Sequence, residues 1–332
     1  ESEVRRRVAL KVGRDPVGTE AATRFEREVA QTWELAAGNA SIPNIIRAGV
    51  LPEGRLPYYT MELVEGSTLE SLIHEFYKMV DVNSVNWRNE SSARGLLTHL
   101  GHAAEALDYA HRQGVIHRDV KPNNLMVPSD REIPIKVIDW GLLQASLEGG
   151  NVEEQVEVDQ PGLTKEGLGT IDYMSPEPAR GESVDARADV WSLGASLYRM
   201  LCDEVPLAHH GAGAMDRLRA LRSDATELVL PPSKRGVNIP RELEAIVMKA
   251  LRCDPEARYA SAADFQRDLQ NFLDRRPVEA YRESLGLLGA ALYSTRLWLR
   301  RQRTPVTWTL ALLTTVSGGV FAKHVKDEQE KQ

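Results

Sequence analysis

The residues best suited to chemistry lie in one short segment, HRDVKPNN, at positions 117–124. Asp119 is followed by Lys121 and Asn124, and Asp139 comes fifteen residues after Asn124. An aspartate can accept a proton from an attacking hydroxyl, and a nearby lysine can neutralise charge on a group in transfer. Asn124 and Asp139 supply the hard oxygen ligands that Mg²⁺ prefers, with phosphate and water completing its shell. The pattern therefore indicates metal-assisted group transfer.

Apolar patterns predict the elements that must position these residues. Val8, Leu10 and Val12 alternate with other side chains, which predicts a strand within residues 4–12. A helix is predicted over residues 20–37, because Phe25, Val29 and Trp33 recur at four-residue spacing and Gly38 is a plausible stop.

A hairpin and then a mainly helical region are predicted after this helix. Two apolar stretches, 45–51 and 58–63, flank the turn residues Pro52, Glu53 and Gly54. A small β-rich part thus precedes a larger α-rich part, which is the α+β class. Within the larger part, the sequence predicts helices over 69–77 and 96–112, a polar loop insertion within 74–94, a mobile acidic loop over 149–167, and a mainly helical stretch over 176–272.

The composition is that of a folded protein. The 332 residues include 41 Lys and Arg against 48 Asp and Glu, a net charge of −7, with 42% hydrophobic residues. These values exclude wholesale disorder and argue against a nucleic-acid partner, which would favour a basic surplus. Cys202 and Cys253 are too few for a disulfide scaffold, and two buried thiols are predicted.

The C-terminal part has a different character. Residues 304–322 contain no charged side chain, and nineteen uncharged residues are about enough to cross ~30 Å of hydrocarbon. We predict a transmembrane helix there, with an amphipathic or core helix as the alternative. The preceding arginines favour a cytoplasmic location for everything N-terminal to it; they are Arg296, Arg300, Arg301 and Arg303.

Taken together, the motifs make residues 1–276 resemble the eukaryotic-like Ser/Thr protein kinases of bacteria, particularly membrane-anchored members. Several separate motifs occur in the family's order, which makes coincidence a poor explanation. They are Val8-Ala9-Leu10-Lys11, Glu28, His117-Arg118-Asp119, Asp139-Trp140-Gly141, Ser175-Pro176-Glu177, the segment DVWSLG at 189–194, and Arg258 as the partner of Glu177.

The resemblance implies a two-lobed kinase fold followed by a membrane anchor. The N-lobe would comprise residues 1–65 and the helical C-lobe residues 66–276. A basic juxtamembrane connector, 277–303, would lead into the transmembrane helix at 304–322 and a short tail at 323–332. The location implied is the cytoplasmic membrane, crossed once, with the kinase domain in the cytoplasm.

It also implies roles for individual residues in binding ATP and Mg²⁺. Lys11 would hold the α- and β-phosphates, oriented by Glu28. Asp139 and Asn124 would hold Mg²⁺, and Asp119 would position the substrate hydroxyl.

The adenine site is implied in the same way. Met61 stands at the gatekeeper position, and the backbone from Glu62 to Val64 would bond the adenine edge. Ala9 and Met126 would sandwich the ring.

Specificity and regulation follow from the same comparison. Lys121 and Thr170 match the pattern for protein substrates that carry Ser or Thr. Arg118, directly before Asp119, suggests control by phosphorylation of the activation loop, for which Thr164 is the candidate. The resemblance leaves homodimerisation open.

One family element, the glycine-rich loop, is missing upstream of Lys11. We expect that the chain begins inside the domain, downstream of that loop, so that the N-lobe is truncated at its start. Two hypotheses remain from the sequence: an active Ser/Thr protein kinase in bacterial signal transduction, and a pseudokinase scaffold. Retention of Lys11, Glu28, Asp119, Asn124 and Asp139 favours the kinase.

Overall fold

A three-stranded antiparallel sheet and one helix form the smaller lobe. The structure, a computed structural model, describes residues 7–130, 132–140, 171–211, 213–223 and 225–301. The strands are β1 (Val8–Val12), β2 (Ile45–Val50) and β3 (Pro57–Glu62), in the order β1-β3-β2. The predicted hairpin, now β2 and β3, is confirmed. The predicted strand over 4–12 is described from Val8 onward.

Helix α1 (Glu20–Ala36) begins at Thr19, whose side-chain oxygen accepts a hydrogen bond from the Ala22 N–H. The predicted helix over 20–37 is thus confirmed to within a residue. Its Phe25–Val29–Trp33 stripe is not the buried face, because Trp33 is 53% exposed while Glu28 is 4% exposed. The helix turns a carboxylate toward the sheet because a lysine there pairs with it.

A second small sheet connects the lobes. It contains β4 (Gly66–Thr68), β5 (Leu125–Pro128) and β6 (Lys136–Val137), in the order β4-β5-β6. Helix α2 (Leu69–Met79) begins at Thr68, which caps the Ser71 N–H. Helix α2 ends at Met79 and α3 (Ser91–Arg112) begins at Ser91, so the loop insertion predicted within 74–94 is confirmed and covers residues 80–90.

The larger lobe is built from helices around one buried segment. Helix α5 (Arg187–Cys202) is its centre, since nearly every residue in it is buried, including Trp191 and Tyr198. The predicted helical stretch over 176–272 is confirmed. The other described helices there are α4 (Pro176–Arg180), α6 (Ala214–Arg222), α7 (Arg241–Ala250) and α8 (Ala262–Leu273). Cys202 and Cys253 are both unpaired and buried, as predicted.

A buried ion pair joins α4 to the loop before α8. Arg258 donates two hydrogen bonds to Glu177, at 2.6 Å and 3.0 Å, and both residues are less than 5% exposed. The guanidinium also donates to the carbonyl oxygens of Arg252, Arg187 and Cys253. Because every charge is paired and hydrogen-bonded, the pair can persist in an apolar surrounding.

Two further helices extend the packed structure beyond residue 276. Helices α9 (Glu279–Ser284) and α10 (Gly286–Arg301) occupy the described part of the predicted connector, 277–303. Asp268 of α8 accepts hydrogen bonds from the N–H groups of Glu279 and Ala280, at 2.7 Å and 2.9 Å, and so caps α9. Val278 is fully buried.

Within the described ranges, no helix is both long enough and apolar enough to cross a bilayer. The predicted transmembrane helix at 304–322 and the tail at 323–332 lie outside those ranges.

Candidate active site

The HRDVKPNN segment forms a loop between α3 and β5 that is held by one carboxylate. Asp189, at the start of α5, accepts hydrogen bonds from the N–H groups of His117 and Arg118, both at 2.8 Å. Arg118 has a φ of 66°, a left-handed conformation that side chains other than glycine adopt reluctantly. The two bonds to Asp189 compensate for this strain and fix the direction in which the loop presents Asp119.

His111 completes the environment of Asp189. Its Nε2 lies 2.7 Å from Asp189 Oδ2, and the Asp189 side chain is fully buried. Burial alone would raise the pKa of Asp189, but the hydrogen bond and charge of His111 and the His117 N–H outweigh it and lower the pKa. No local motif marks His111, because its contact with Asp189 joins residues 78 positions apart.

Asp119, Lys121 and Asn124 meet within the loop. The Lys121 ammonium lies 3.0 Å and 2.9 Å from the two carboxylate oxygens of Asp119. The Asn124 amide donates to the Asp119 carbonyl at 2.8 Å and to its Oδ2 at 3.0 Å. Asp119 is 8% exposed, so its orientation is set by these contacts and not by solvent.

Asp139 lies at the end of a neighbouring segment that is tied to the same loop. The Ile138 N–H donates to the Asn124 carbonyl at 2.9 Å, and His117 Nε2 donates to the Ile138 carbonyl at 2.9 Å. Asp139 itself has a φ of 61°. These bonds position Asn124 and Asp139, which come from separate loops, on one framework.

Trp140 anchors the other side of Asp139. Its indole nitrogen donates to the Val137 carbonyl at 2.8 Å, and its ring centroid lies 4.7 Å from that of His117. The side chain is 1% exposed, so it serves as a packing residue. Gly141, the next residue of the motif, lies outside the described residues.

Lys11 joins the small lobe to this framework. Its ammonium lies 2.6 Å from Glu28 Oε1 on α1 and 2.9 Å from Asp139 Oδ1. Burial lowers the pKa of Lys11, but the charges of Glu28 and Asp139 outweigh it, and the net shift is upward. Lys11 therefore stays cationic well above neutral pH. The structure thus brings together three residues from positions 11, 28 and 139.

The residues predicted to contact adenine lie where the two sheets approach the connection between the lobes. Ala9 is directly opposite Met61 in the β1–β3 pair, and both are half-buried. Met126 lies on β5, opposite Thr68 and Lys136. Val64 follows β3 and is also half-buried.

Sequence reasoning missed two polar contacts, one at this connection and one within the smaller lobe. Lys136 on β6, only 6% exposed, forms an ion pair with Glu62 at the end of β3. Tyr59 on β3, 2% exposed, donates its hydroxyl to Glu28 at 3.1 Å. Both are long-range contacts, and no local motif marks either residue.

The donor set fits Mg²⁺ held jointly with a phosphate ligand. The described residues contain no group of three or more His, Cys, Asp or Glu side chains that could bind a metal alone. Asn124 and Asp139 instead offer two oxygen donors from adjoining loops, which suits a small, hard cation that keeps water and phosphate in its shell. Because the Asn124 amide nitrogen is bonded to Asp119, its oxygen is the atom left to serve as a ligand.

Two residues of the predicted site cannot be placed. Thr164 and Thr170 lie outside the described residues, as does the whole stretch from 141 to 170.

The sequence also matches a known protein family and several characterised relatives. A family model described as the protein kinase domain matches residues 2–269. The chain is similar to the serine/threonine-protein kinase PknB of Mycobacterium tuberculosis, with 34% identity over 279 residues, 83% of this chain and 40% of the relative. It is also 35% identical to PknB of Mycolicibacterium smegmatis over 268 residues, 80% of this chain and 38% of the relative.

A third relative shows the same proportions. PknB of Mycobacterium leprae is 34% identical over 279 residues, again 83% of this chain and 40% of the relative. The chain thus spans about two fifths of the length of the curated relatives it matches.

The contacts of Asp189 lead to a test of what holds the loop. Asp189→Asn should lower the free energy of unfolding by about 1.5–3 kcal/mol at pH 7, the range for losing a hydrogen bond to a charged group. Because the folded pKa of Asp189 is depressed, its contribution is present above the ordinary aspartate pKa of ~3.9 and is lost as the pH falls through the folded value. Urea unfolding at pH 7, 4 and 3 measures how this difference declines in acid.

The matched control is Asp216→Asn, which alters an exposed pair with Arg219. That variant should stay within about 0.5 kcal/mol of wild type at every pH. An Asp189→Asn variant as stable as wild type at pH 7, or a difference that grows in acid, would contradict the assigned role.

Proposed function

This chain belongs to the protein kinase family, and we propose that it is a Ser/Thr protein kinase that transfers the γ-phosphate of ATP to hydroxyl groups of protein substrates. One observation carries the proposal. Lys11, Glu28, Asp119, Asn124 and Asp139 come from distant parts of the sequence, yet hydrogen bonds link them into two adjoining clusters.

At the acceptor side, we assign Asp119 as the residue that orients the Ser or Thr hydroxyl. Its carboxylate takes the hydroxyl proton as the new oxygen–phosphorus bond forms and the bond to the departing ADP breaks. Lys121, already beside this carboxylate, neutralises negative charge on the group in transfer. The loop contacts align these groups before substrate arrives, and alignment is most of what phosphoryl transfer requires.

At the nucleotide side, Lys11 binds the α- and β-phosphates, and Glu28 keeps its ammonium pointed toward them. Asn124 and Asp139 would hold Mg²⁺, which would supply positive charge to offset the negative charge of the phosphates. Both ends of this arrangement are anchored: Lys11 by its ion pair with α1, and Asn124 by its amide bond to Asp119.

We assign the adenine-binding site to the connection between the lobes. The backbone from Glu62 to Val64 bonds the adenine edge, below Met61, and Ala9 and Met126 contact the two faces of the ring. The Glu62 N–H already donates to the Asn44 carbonyl at 2.9 Å, so the Glu62 carbonyl is the group that this residue offers to adenine.

The choice of Ser/Thr over Tyr rests on Lys121 and on the names of the relatives, which are serine/threonine-protein kinases. A role in bacterial signal transduction is proposed on the same basis. The alternative is a pseudokinase scaffold that binds partners or nucleotide without transfer.

Phosphoryl transfer separates the two hypotheses. Full-length protein incubated with labelled ATP, Mg²⁺ and a generic protein substrate should transfer label to Ser and Thr. Asp119→Asn should reduce the rate at least about a hundredfold, because the proton acceptor is lost while the shape is kept. The measurement is the initial rate of label incorporation, followed by phosphoamino-acid analysis.

Asp130→Asn serves as the matched control, since Asp130 is an exposed carboxylate just after β5. It should transfer at the wild-type rate. ATP binding by the wild-type protein without transfer would support the scaffold, and an Asp119→Asn variant with unchanged rate would overturn the mechanism.

Regulation is proposed through Thr164 in the activation loop. A phosphate adds about −1.5 to −2 charge and pairs well with arginine, and Arg118 lies directly before Asp119. After incubation with ATP, mass spectrometry should find phosphate within residues 142–170, with Thr164 as the main site. Thr164→Ala should lower both the phosphate content and the rate, and Asp119→Asn should carry no phosphate there. A loop without phosphate in active protein would refute this.

We also propose that residues 304–322 anchor the protein in the cytoplasmic membrane, with the kinase domain on the cytoplasmic side. Full-length protein should pellet with membranes and resist extraction at high salt, which screens binding through the arginines alone. Deletion of 304–322 should release it to the supernatant, whereas deletion of 323–332 should not. Salt extraction of the full-length protein would instead indicate peripheral binding.

A further inference from the structure

Tyr59 occupies a position in the sheet from which it can act on the Lys11 site. It lies directly opposite Lys11 in the antiparallel pair of β1 and β3, and directly opposite residues in such a pair share one face of the sheet. The Lys11 ammonium lies 5.7 Å from the centroid of the Tyr59 ring. The ring also lies beside that of Phe25 of α1, with centroids 5.4 Å apart.

Among the described residues, the Tyr59 hydroxyl forms a hydrogen bond with Glu28. The O–H donates to Glu28 Oε1 at 3.1 Å, and Lys11 donates to the same oxygen at 2.6 Å. Burial first, and then the charge of Glu28, raise the pKa of Tyr59 well above its usual value. The phenol therefore remains protonated and acts as the donor at any physiological pH.

Two donors on neighbouring strands thus hold one buried carboxylate of α1. The Glu28 side chain is 3% exposed, so water contributes little to its orientation. Lys11 alone would be a poor anchor, because the same ammonium also contacts Asp139 and is assigned to the nucleotide phosphates. A neutral donor that takes no part in those contacts can hold Glu28 whichever partner Lys11 engages.

We propose that Tyr59 is a positioning residue of the kinase site, whose hydroxyl holds Glu28 in the orientation that Lys11 requires. The expected effect on phosphoryl transfer rests on the proposed function, whereas the expected effect on the orientation of Glu28 does not. Tyr59 touches neither substrate nor nucleotide in this scheme; it acts through Glu28.

The decisive variant is Tyr59→Phe, which removes the hydroxyl and keeps the ring beside Lys11 and Phe25. We expect kcat/KM for ATP to fall about tenfold, the lower end of what a hydrogen bond to a charged group contributes. A double-mutant cycle with Glu28→Gln isolates the pathway: in the Glu28→Gln background, Tyr59→Phe should change kcat/KM by less than about twofold. Equal effects of Tyr59→Phe in both backgrounds would overturn the proposal.

Tyr58→Phe is the matched control, because Tyr58 is the neighbouring residue of β3 and points to the opposite face of the sheet. It should leave kcat/KM within about twofold of wild type. Thermal unfolding of all variants shows whether a change in rate follows a change in stability. A loss of rate that Tyr58→Phe reproduces would mark the effect as general and refute the specific role.

A second readout needs no catalysis. The Lys11 ammonium is held 2.6 Å from Glu28 Oε1, so Glu28 shields it from a small amine-reactive reagent. Tyr59→Phe should free Glu28 to turn away and raise the labelling rate of Lys11 severalfold, as followed by mass spectrometry. An unchanged labelling rate would refute the role. If wild-type protein transferred no phosphate, the proposed function would fail while this measurement still decided the role of Tyr59.

Discussion

The buried carboxylate of Asp189 is the interaction on which the arrangement of the site depends. It satisfies two backbone N–H groups of the HRDVKPNN loop and the ring of His111, and it stands at the start of the most buried helix in the larger lobe. A loop that contains a left-handed arginine would not keep this shape unaided. Helix α5 is held in place by packing on all sides. The position of Asp119 is therefore fixed by the core of the larger lobe, through Asp189, and not by the surface on which the loop lies.

Ion pairs join the smaller lobe to that core. Lys11 reaches both Glu28 and Asp139, so helix α1, strand β1 and the segment after β6 meet at one ammonium. Lys136 and Glu62 form a second link, between β6 and the end of β3. Apolar packing joins the lobes as well, because Leu35 and Ile42 of the smaller lobe belong to the same buried hydrophobic cluster as the larger lobe.

The sequence predicted the order of elements and the members of the main clusters, because motif spacing reports on local structure. It did not predict which side of α1 faces the sheet. Trp33 repeats with Phe25 and Val29 yet lies in solvent, while Glu28 is buried by a partner on another strand. His111 and Tyr59 were missed for the same reason: each matters through one contact with a residue far away in the sequence. Side-chain registry across elements is set by packing in three dimensions, and a single sequence carries no direct record of it.

The capping of α9 by Asp268 has a mechanical consequence. Helix α9 is attached to the larger lobe by that carboxylate and by the Lys249–Glu283 ion pair, and the edge-on contact of Tyr281 with Tyr293 packs α10 against α9. The chain therefore leaves the larger lobe in a fixed direction, as packed helices and not as a flexible linker. A force applied to the chain beyond Arg301 would therefore reach α8 through Asp268, the residue that caps α9.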